Sequence, residues 1–548
     1  MTYAARPHRL PTNRLLTMGV AFLAAACAPG EAPLDVLLVN GKVLDGTGNP
    51  WFFRDIGIAG DRIAFVGDAE LEGVAARDTL DVAGFLVTPG FWDVHSHADP
   101  DTETGRAALP QLTQGITTVV LGMDGRGASN VAEIFAGYRA NGIAVNVVRF
   151  VGHGSARGSV LGMANRAPTP EELDRMKAYV QRGMEEGAAG LSTGLYYTPG
   201  TFATTDEVVE LARVAARYGG LYDTHDRDLG VAYKGVGYLG SIREAIEIAE
   251  RAGLPAIFSH FNAQGPANYG KAPQGARLIE EARARGVNVM AGQHVYDASG
   301  CSLVACTLPR WAAEGGEDSM KARLADPEVR RRLRPEVTEL LGMVGGPTKL
   351  RFTDRRPELF GRTLAQVAAE RRQPAVETIL ELVASGGNAS VINHDIYDPN
   401  NTDFLAQQDW MMTCTDGGTP EFGEGMVHPR TYGAFPRKLR QFVYDRPIVR
   451  LPFAVRGMTS LAATFYQHPD RGLIKEGVYA DLVVLDEARI GDRATYDQPH
   501  QYSEGVVHVL VNGQVALRNG QATGVRAGRP LPRRTGGPAD SRTGGGAP

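Results

Sequence analysis

The 548-residue chain is long enough to form more than one domain and to bury a large hydrophobic core. Hydrophobic residues make up 43% and charged residues 22%, which is the balance of an ordinary soluble globular protein. The formal net charge is only −5, so the charge balance argues against a nucleic-acid partner and is typical of a mixed, solvated surface.

Residues 1–26 have the organisation of a secretory signal peptide. Arg6, Arg9 and Arg14 form a basic region, and an apolar stretch from Leu15 to Ala26 follows it. That stretch is too short for a transmembrane helix, which needs about 20 apolar residues. It does have the length of a signal-peptide core. We therefore expect export to the periplasm.

Small residues lead directly to the first cysteine, in the order Leu23-Ala24-Ala25-Ala26-Cys27. This order resembles a bacterial lipobox, in which the cysteine becomes the lipidated N-terminus, although Ala24 stands where leucine is usual. We expect a lipid anchor at Cys27, with simple cleavage after Ala26 as the alternative, and a linker over residues 27–32. The sequence indicates no other membrane contact and no protein partner.

The two ends of the mature chain share a pattern. Val39-Asn40-Gly41-Lys42-Val43 is echoed by Val511-Asn512-Gly513-Gln514-Val515, and each Asn-Gly pair predicts a two-residue hairpin turn. We predict that residues 33–90 and about 470–528 form one small β-sandwich domain. Residues 529–548 are rich in Gly, Pro and Arg, which predicts a disordered tail.

Between these ends, short apolar runs alternate with helical patterns. Thr169-Pro170-Glu171-Glu172, for example, has the residues of a capping box that begins a helix. The alternation predicts an α/β fold, a (β/α)₈ TIM barrel over residues 91–469. The stretch of approximately residues 297–405, between the seventh and eighth strand candidates, is longer than a normal connection. Its length predicts a lid or a substrate-selecting insertion. The eight strand candidates are 91–95, 116–121, 145–151, 190–195, 221–224, 256–259, 287–291 and 411–415.

Histidines and an aspartate fall at the predicted strand ends, where such barrels carry their catalytic groups. His95 and His97 are two apart after the first strand, so both side chains face the same way and can bind one cation. His225, His260 and Asp416 end the fifth, sixth and eighth strands. One such histidine alone is more often structural, whereas this set predicts a metal site.

The remaining cysteines, Cys301, Cys306 and Cys414, lack CxxC spacing and so predict no structural zinc knot. Two alternatives remain for Cys301 and Cys306: they form a disulfide with each other, or both are free, buried thiols.

The run Val87-Thr88-Pro89-Gly90-Phe91-Trp92-Asp93-Val94-His95-Ser96-His97 resembles the first-strand motif of the amidohydrolase superfamily. Within it, the chain resembles the N-acyl-D-amino-acid deacylases, or D-aminoacylases, over nearly the whole mature sequence. The supporting segments are Gly190-Leu191-Ser192-Thr193-Gly194-Leu195-Tyr196-Tyr197-Thr198-Pro199-Gly200, Thr224-His225-Asp226-Arg227-Asp228, Ser259-His260, Thr415-Asp416-Gly417 and His428-Pro429-Arg430-Thr431-Tyr432-Gly433.

The resemblance implies one or two Zn²⁺ ions per chain. His225 and His260 would bind the tighter ion, and His95 and His97, with Asp416 nearby, the weaker one. Asp124 stands where the family usually has a cysteine ligand. A carboxylate is a harder zinc ligand that can bridge two ions, which favours a two-metal site. Asp416 would take a proton from the metal-activated water and pass it to the leaving amine.

The resemblance also implies substrate-binding residues. Arg430 would pair with the substrate carboxylate, and Tyr296 would assist it. Asn262 replaces the family's usual lysine, so recognition of a free α-carboxylate would be weaker. His153, which ends the third strand, has two alternatives, a place in the pocket or a structural role.

These residues predict a zinc-dependent hydrolase that cleaves the amide of small N-acyl-D-amino acids or of related amides and D-peptides. A cyclic amidase of the dihydroorotase or hydantoinase type is the alternative within the enzymes. A non-catalytic envelope lipoprotein that binds solutes is the alternative outside them.

Overall fold

The structure is a computed structural model that describes residues 33–386 and 388–534. The predicted signal peptide of residues 1–26, Cys27 with its linker, and residues 535–548 lie outside the described residues. No helix in the described ranges is both long and apolar enough to cross a membrane.

The described chain begins with five strands, and one short helix, Ala69–Glu72, lies between the third and the fourth. The first half of β1 pairs in parallel with β4, and its second half pairs with β5, so this strand joins two parts of the sheet. Asn40, with a φ of 64°, lies inside β1 at a shift of register against β2. The hairpin predicted at Asn40-Gly41 is therefore wrong, because the pair forms a bulge within one strand. The strands are β1 (Leu34–Val43), β2 (Phe52–Ala59), β3 (Arg62–Gly67), β4 (Ala76–Asp81) and β5 (Leu86–Pro89).

The barrel strands overlap all eight sequence predictions, with the third divided at Phe150 into two pieces. Parallel pairing runs from β6 to β8 and from β9 through β13 to β17. Hydrogen bonds from Val94 N to Thr413 O and from Asp416 N to His95 O connect the first and last strands. The strands are β6 (Phe91–Asp93), β7 (Ile116–Leu121), β8 (Asn146–Arg149), β9 (Val151–Gly152), β10 (Gly190–Gly194), β11 (Leu221–His225), β12 (Ala256–Phe258), β13 (Val289–Gln293) and, after three further strands, β17 (Met411–Thr413).

Helices surround these strands, and the predicted capping box at Thr169 is present at the start of Pro170–Glu185. The other helices of the barrel are Glu103–Ala107, Leu109–Leu112, Val131–Asn141, His153–Leu161, Thr205–Arg217, Tyr238–Ala252, Ala272–Ala284, Pro399–Ala406, Arg430–Arg437, Leu451–Met458 and Ser460–Phe465.

The insertion between β13 and β17 forms its own small unit. Its antiparallel sheet has the order β14–β16–β15, and its helices enclose a separate hydrophobic core around Leu303, Leu333 and Ile379. A disulfide joins Cys301 to Cys306. The elements are β14 (Ser299–Ser302), β15 (Leu350–Phe352), β16 (Ser390–Asn393) and the helices Leu303–Thr307, Glu317–Ala325, Pro327–Met343, Leu364–Glu370 and Ala375–Ala384.

The chain then returns to the first sheet. β18 pairs antiparallel with β5, which completes a nine-stranded sheet built from both ends of the described chain. Leu38, Val43, Leu482 and Val484 share one buried core. Asn512, with a φ of 46°, turns between β19 and β20 as its Asn-Gly pattern predicts. The returning strands are β18 (Leu482–Leu485), β19 (Val506–Val511), β20 (Gln514–Arg518) and β21 (Gln521–Ala522).

The segment that follows differs from the disorder predicted for residues 529–548. Val147 N donates to Arg529 O, and Leu531 N donates to Val147 O, so residues 529–531 pair with the backbone of β8. Leu531 is buried against the barrel. The glycine- and proline-rich composition misled the prediction because backbone pairing and one apolar side chain are enough to hold this segment.

Candidate metal centre

Six histidine and aspartate side chains of the kinds that bind metal ions converge at the carboxyl ends of the barrel strands, where neighbouring parallel strands bring their following residues together. Their donor atoms form three overlapping groups, and within each group all donor atoms lie within 4.8 Å of one another. The three groups are His95–His97–Asp124, His95–His260–Asp416 and Asp124–His225–His260.

Asp124 lies between the two pairs of histidines. Its Oδ1 is 3.4 Å from His225 Nδ1 and 3.7 Å from His95 Nε2, and its Oδ2 is 3.6 Å from His97 Nε2. His260 Nε2 lies 2.8 Å from His225 Nδ1 on the same side. Oδ1 therefore faces one histidine of each pair, and Oδ2 faces the second histidine of the His95–His97 pair, which suits a ligand shared between two ions.

The donor atoms fit a bound cation. His95 Nε2 and Asp124 Oδ1 are buried and have no hydrogen-bond partner among the described residues, which is costly for polar atoms unless a ligand satisfies them. Burial lowers the pKa of His95 to about 3 and that of His260 to about 4. Both imidazoles are therefore neutral at pH 7 and can each donate a lone pair to a metal.

Asp416 connects the metal ligands to a buried arginine. Its Oδ1 lies 3.2 Å from His97 Nε2 and 3.6 Å from His95 Nε2, while its Oδ2 forms an ion pair with Arg430 Nη1 at 2.8 Å. Burial alone would raise the pKa of Asp416, but Arg430 and the histidines hold it well below its usual value. Arg430 also lies 3.2 Å from His294 Nε2, which fixes the guanidinium at the start of helix Arg430–Arg437.

These groups open onto a cavity of about 390 Å³. Among the lining residues that the barrel contributes are His97, Asp124, His225, His260 and Asp416, together with Tyr197, Gln264 and Arg430. The insertion contributes Ser299, Gly300, Cys301, Ser302, Thr353, Ser390, Val391 and Ile392. The predicted insertion therefore faces the site directly.

Of the four residues expected to bind substrate, the structure brings only Arg430 to the cavity. His153 is fully buried, and its Nε2 lies 2.9 Å from Glu207 Oε1, beside the equally buried Arg157. The pocket alternative for His153 is thus corrected, since its ring belongs to an internal ion-pair network.

Tyr296 and Asn262 are likewise not among the residues that line the cavity. Tyr296 is buried with its ring 4.6 Å from the guanidinium of Arg437 and 5.2 Å from the ring of His428. Asn262 Nδ2 donates to Thr402 Oγ1. Asn262 thus has a partner inside the protein, whereas the buried hydroxyl of Tyr296 has none among the described residues. Contact of these two side chains with the substrate stays a prediction.

Sequence reasoning missed several cavity residues. Tyr197 lies in the Gly190–Gly200 run that carried the family resemblance, and its ring lies 4.6 Å from that of His225. Burial raises the pKa of Tyr197, so its phenol remains a proton donor. The hydroxyl residues of the insertion carry no local signal, since only folding brings Ser302, Thr353 and Ser390 to the site.

Comparison with known proteins agrees with this geometry. A model of the amidohydrolase family matches residues 357–517. The chain is 32% identical to a D-aminoacylase of Alcaligenes xylosoxydans xylosoxydans over 522 residues, which is 91% of this chain and 98% of the relative. It is 31% identical to an N-acyl-D-glutamate deacylase of the same organism, over 88% of this chain and 93% of the relative.

Solved structures give the same result. The crystal structure of a D-aminoacylase superposes with a TM-score of 0.77 at 31% identity, over 91% of this chain and all of that one. An N-acyl-D-glutamate deacylase from Bordetella bronchiseptica, complexed with zinc and a phosphonate inhibitor, has a TM-score of 0.77 at 29% identity, over 92% and 100% of the two chains. A D-hydantoinase, at 15% identity and a TM-score of 0.55 over 91% and 99%, shares the fold alone.

The D-aminoacylase of Alcaligenes xylosoxydans xylosoxydans is matched over almost its whole length, at an identity that establishes common descent. The fold also places six side chains able to bind metal at the ends of the barrel strands. The chain therefore belongs to the D-aminoacylase family of the amidohydrolases.

Proposed function

We propose that this protein is a zinc-dependent amidohydrolase that cleaves the amide of small N-acyl-D-amino acids. The observation that carries the proposal is the contact between Asp416 and Arg430 beside the cluster of metal ligands. It puts a carboxylate able to carry protons next to a guanidinium able to hold a substrate carboxylate. Relatives named D-aminoacylase and N-acyl-D-glutamate deacylase support the substrate class.

The ligand sets support two metal positions. His95, His97 and Asp124 would hold one ion, and Asp124, His225 and His260 the other. Nitrogen and carboxylate ligands suit Zn²⁺, and the related N-acyl-D-glutamate deacylase was crystallised with zinc. When bound, such an ion supplies Lewis acidity toward the amide carbonyl and lowers the pKa of water.

The protein's own residues then divide the remaining tasks. Asp416 accepts the proton of the attacking water on a carboxylate oxygen and delivers it to the nitrogen of the leaving amine. Arg430 pairs with the carboxylate of the amino-acid portion and so holds that nitrogen close to Asp416. Tyr197 donates its phenolic proton toward the oxygen of the amide carbonyl, where negative charge develops.

The decisive experiment pairs elemental analysis of the purified protein with hydrolysis of N-acetyl-D-methionine and N-acetyl-L-methionine. We expect one or two zinc ions per chain and cleavage of the D-isomer alone. Asp416→Asn should keep the metal and lose the activity. A metal-free protein with no hydrolysis would refute the proposal, and faster turnover of hydantoin or dihydroorotate would replace it with a cyclic amidase.

We also propose that the protein is exported to the periplasm and anchored by a lipid on Cys27. The signal-peptide pattern of residues 1–26 supports export. The Cys301–Cys306 disulfide supports it independently, because disulfides persist in oxidising compartments. Radiolabelled palmitate should enter the membrane-bound protein, and Cys27→Ser should abolish labelling and release the protein from the membrane. Unlabelled protein in the cytoplasmic fraction would refute both parts.

A further inference from the structure

A second guanidinium, that of Arg126, lines the cavity beside Tyr197, whose ring lies 4.6 Å from that of His225. The charged side chains on the cavity wall are two carboxylates, Asp124 and Asp416, and these two arginines. Arg430 is paired with Asp416. Arg126 makes no ion pair or side-chain hydrogen bond with any described residue, and its guanidinium lies 5.4 Å from the centre of the Tyr197 ring.

A tight turn of the backbone leads to Arg126, whose side chain is exposed. Asp124 and Gly125 both have positive φ values, 56° and 71°, which turn the chain sharply after β7. Gly125 N donates to Ser192 Oγ, and a Cβ at Gly125 would lie 2.9 Å from Gly194 N. The turn that positions Asp124 toward the metals therefore also directs the next side chain, Arg126, to the cavity.

The direction of the substrate follows from the roles proposed for Asp416 and Arg430, so the inference rests on the proposed function. Asp416 must reach the leaving nitrogen, and Arg430, 2.8 Å from it, takes the carboxylate of the amino acid. The amino-acid portion therefore occupies the Asp416 side. The acyl portion must extend the other way, past Asp124 and Tyr197 and toward Arg126.

We infer that Arg126 binds a carboxylate carried by the acyl group, so that the preferred substrates are D-amino acids acylated by a dicarboxylic acid, such as N-succinyl-D-amino acids. The hydroxyl groups of Ser302, Thr353 and Ser390 line the same cavity and can solvate a charged acyl chain. The two aspartates and two arginines of the cavity wall balance one another in charge. Bound divalent cations would make the cavity positive overall, which further favours a substrate with two negative charges.

The test compares N-succinyl-D-methionine with N-butyryl-D-methionine, which has the same number of acyl carbons but no terminal carboxylate. We expect the holoenzyme to prefer the succinyl compound in kcat/KM. Arg126→Gln should lower the ratio of the two kcat/KM values about tenfold, mainly through KM, because a partly exposed charge-assisted pair is lost. Arg126→Lys should retain part of the preference. Arg217→Gln, which removes an exposed arginine from helix Thr205–Arg217 outside the cavity, should leave the ratio unchanged.

Calorimetry on the metal-loaded Asp416→Asn protein measures binding without turnover. The added Arg126→Gln change should weaken the affinity for the succinyl compound about tenfold and that for the butyryl compound less. Hydrolysis of both substrates with no succinyl preference, or a preference that survives Arg126→Gln, would overturn this inference alone. Neither hydrolysis nor binding of either compound would overturn the proposed function together with it.

Discussion

Replacement of Asp124 by asparagine removes the charge that lies between the two pairs of histidine ligands. The Asp124 oxygens lie 3.4 Å from His225 Nδ1 and 3.6 Å from His97 Nε2, so a cation among these atoms would lie closer still. Two unit charges about 3.5 Å apart interact by about 5 kcal/mol at an effective dielectric constant of about 20. The amide keeps one oxygen ligand, so we expect about 3 kcal/mol to be lost, or roughly a 100-fold weaker zinc affinity.

Titration calorimetry of zinc into chelator-treated protein measures this affinity, and elemental analysis after dialysis gives the stoichiometry. Asp124→Cys restores an anionic ligand and should bind zinc more tightly than Asp124→Asn. Asp174→Asn removes a carboxylate from the exposed face of helix Pro170–Glu185 and should titrate like the unaltered protein. If Asp124→Asn binds zinc with full stoichiometry and an affinity within about threefold of the original, Asp124 is not a shared ligand.

Three further outcomes can be measured. Asp416→Asn should lower kcat for N-acetyl-D-methionine by about 1,000-fold with metal content retained, and a kcat within tenfold of the original would contradict its role in proton transfer. Glu207→Gln leaves the buried Arg157 without its counter-charge, so it should cost about 3 kcal/mol of unfolding free energy. The KM of the Glu207→Gln variant should not change. A raised KM with an unchanged melting temperature would instead indicate that His153 contacts the substrate. Burial lowers the pKa of Lys438 from 10.5 to about 8. The folded state therefore binds fewer protons than the unfolded state between these values, and stability gains about 3 kcal/mol as the pH rises through the window. Lys438→Met should remove this gain. The melting temperatures of the variant and of the unaltered protein, measured across pH 7–10, should therefore differ by an amount that changes with pH. A constant difference would contradict the pKa shift.

Local sequence was enough to predict the barrel strands and the histidines and aspartate that cluster at their ends. Parallel strands buried on both faces appear as short apolar runs, so the strand that ends at His225 could be located without knowledge of its neighbours. The alternation of side chains along a strand put His95 and His97 on one side. Because the carboxyl ends of parallel strands meet at one end of a barrel, these positions were enough to predict that Asp416 joins them.

Tertiary structure decided which cavity the ligands face and which residues reach it. His153 follows a barrel strand just as the metal ligands do, yet it turns to Glu207, and no pattern near His153 in the sequence announces that partner. Tyr296 is buried beneath His428 for the same reason. Ser390 and the other cavity residues of the insertion come from a distant part of the chain, and only folding brings them beside Asp124 and Arg126. Sequence periodicity reports how each segment buries its own apolar side, whereas contacts between segments depend on how all of them pack together.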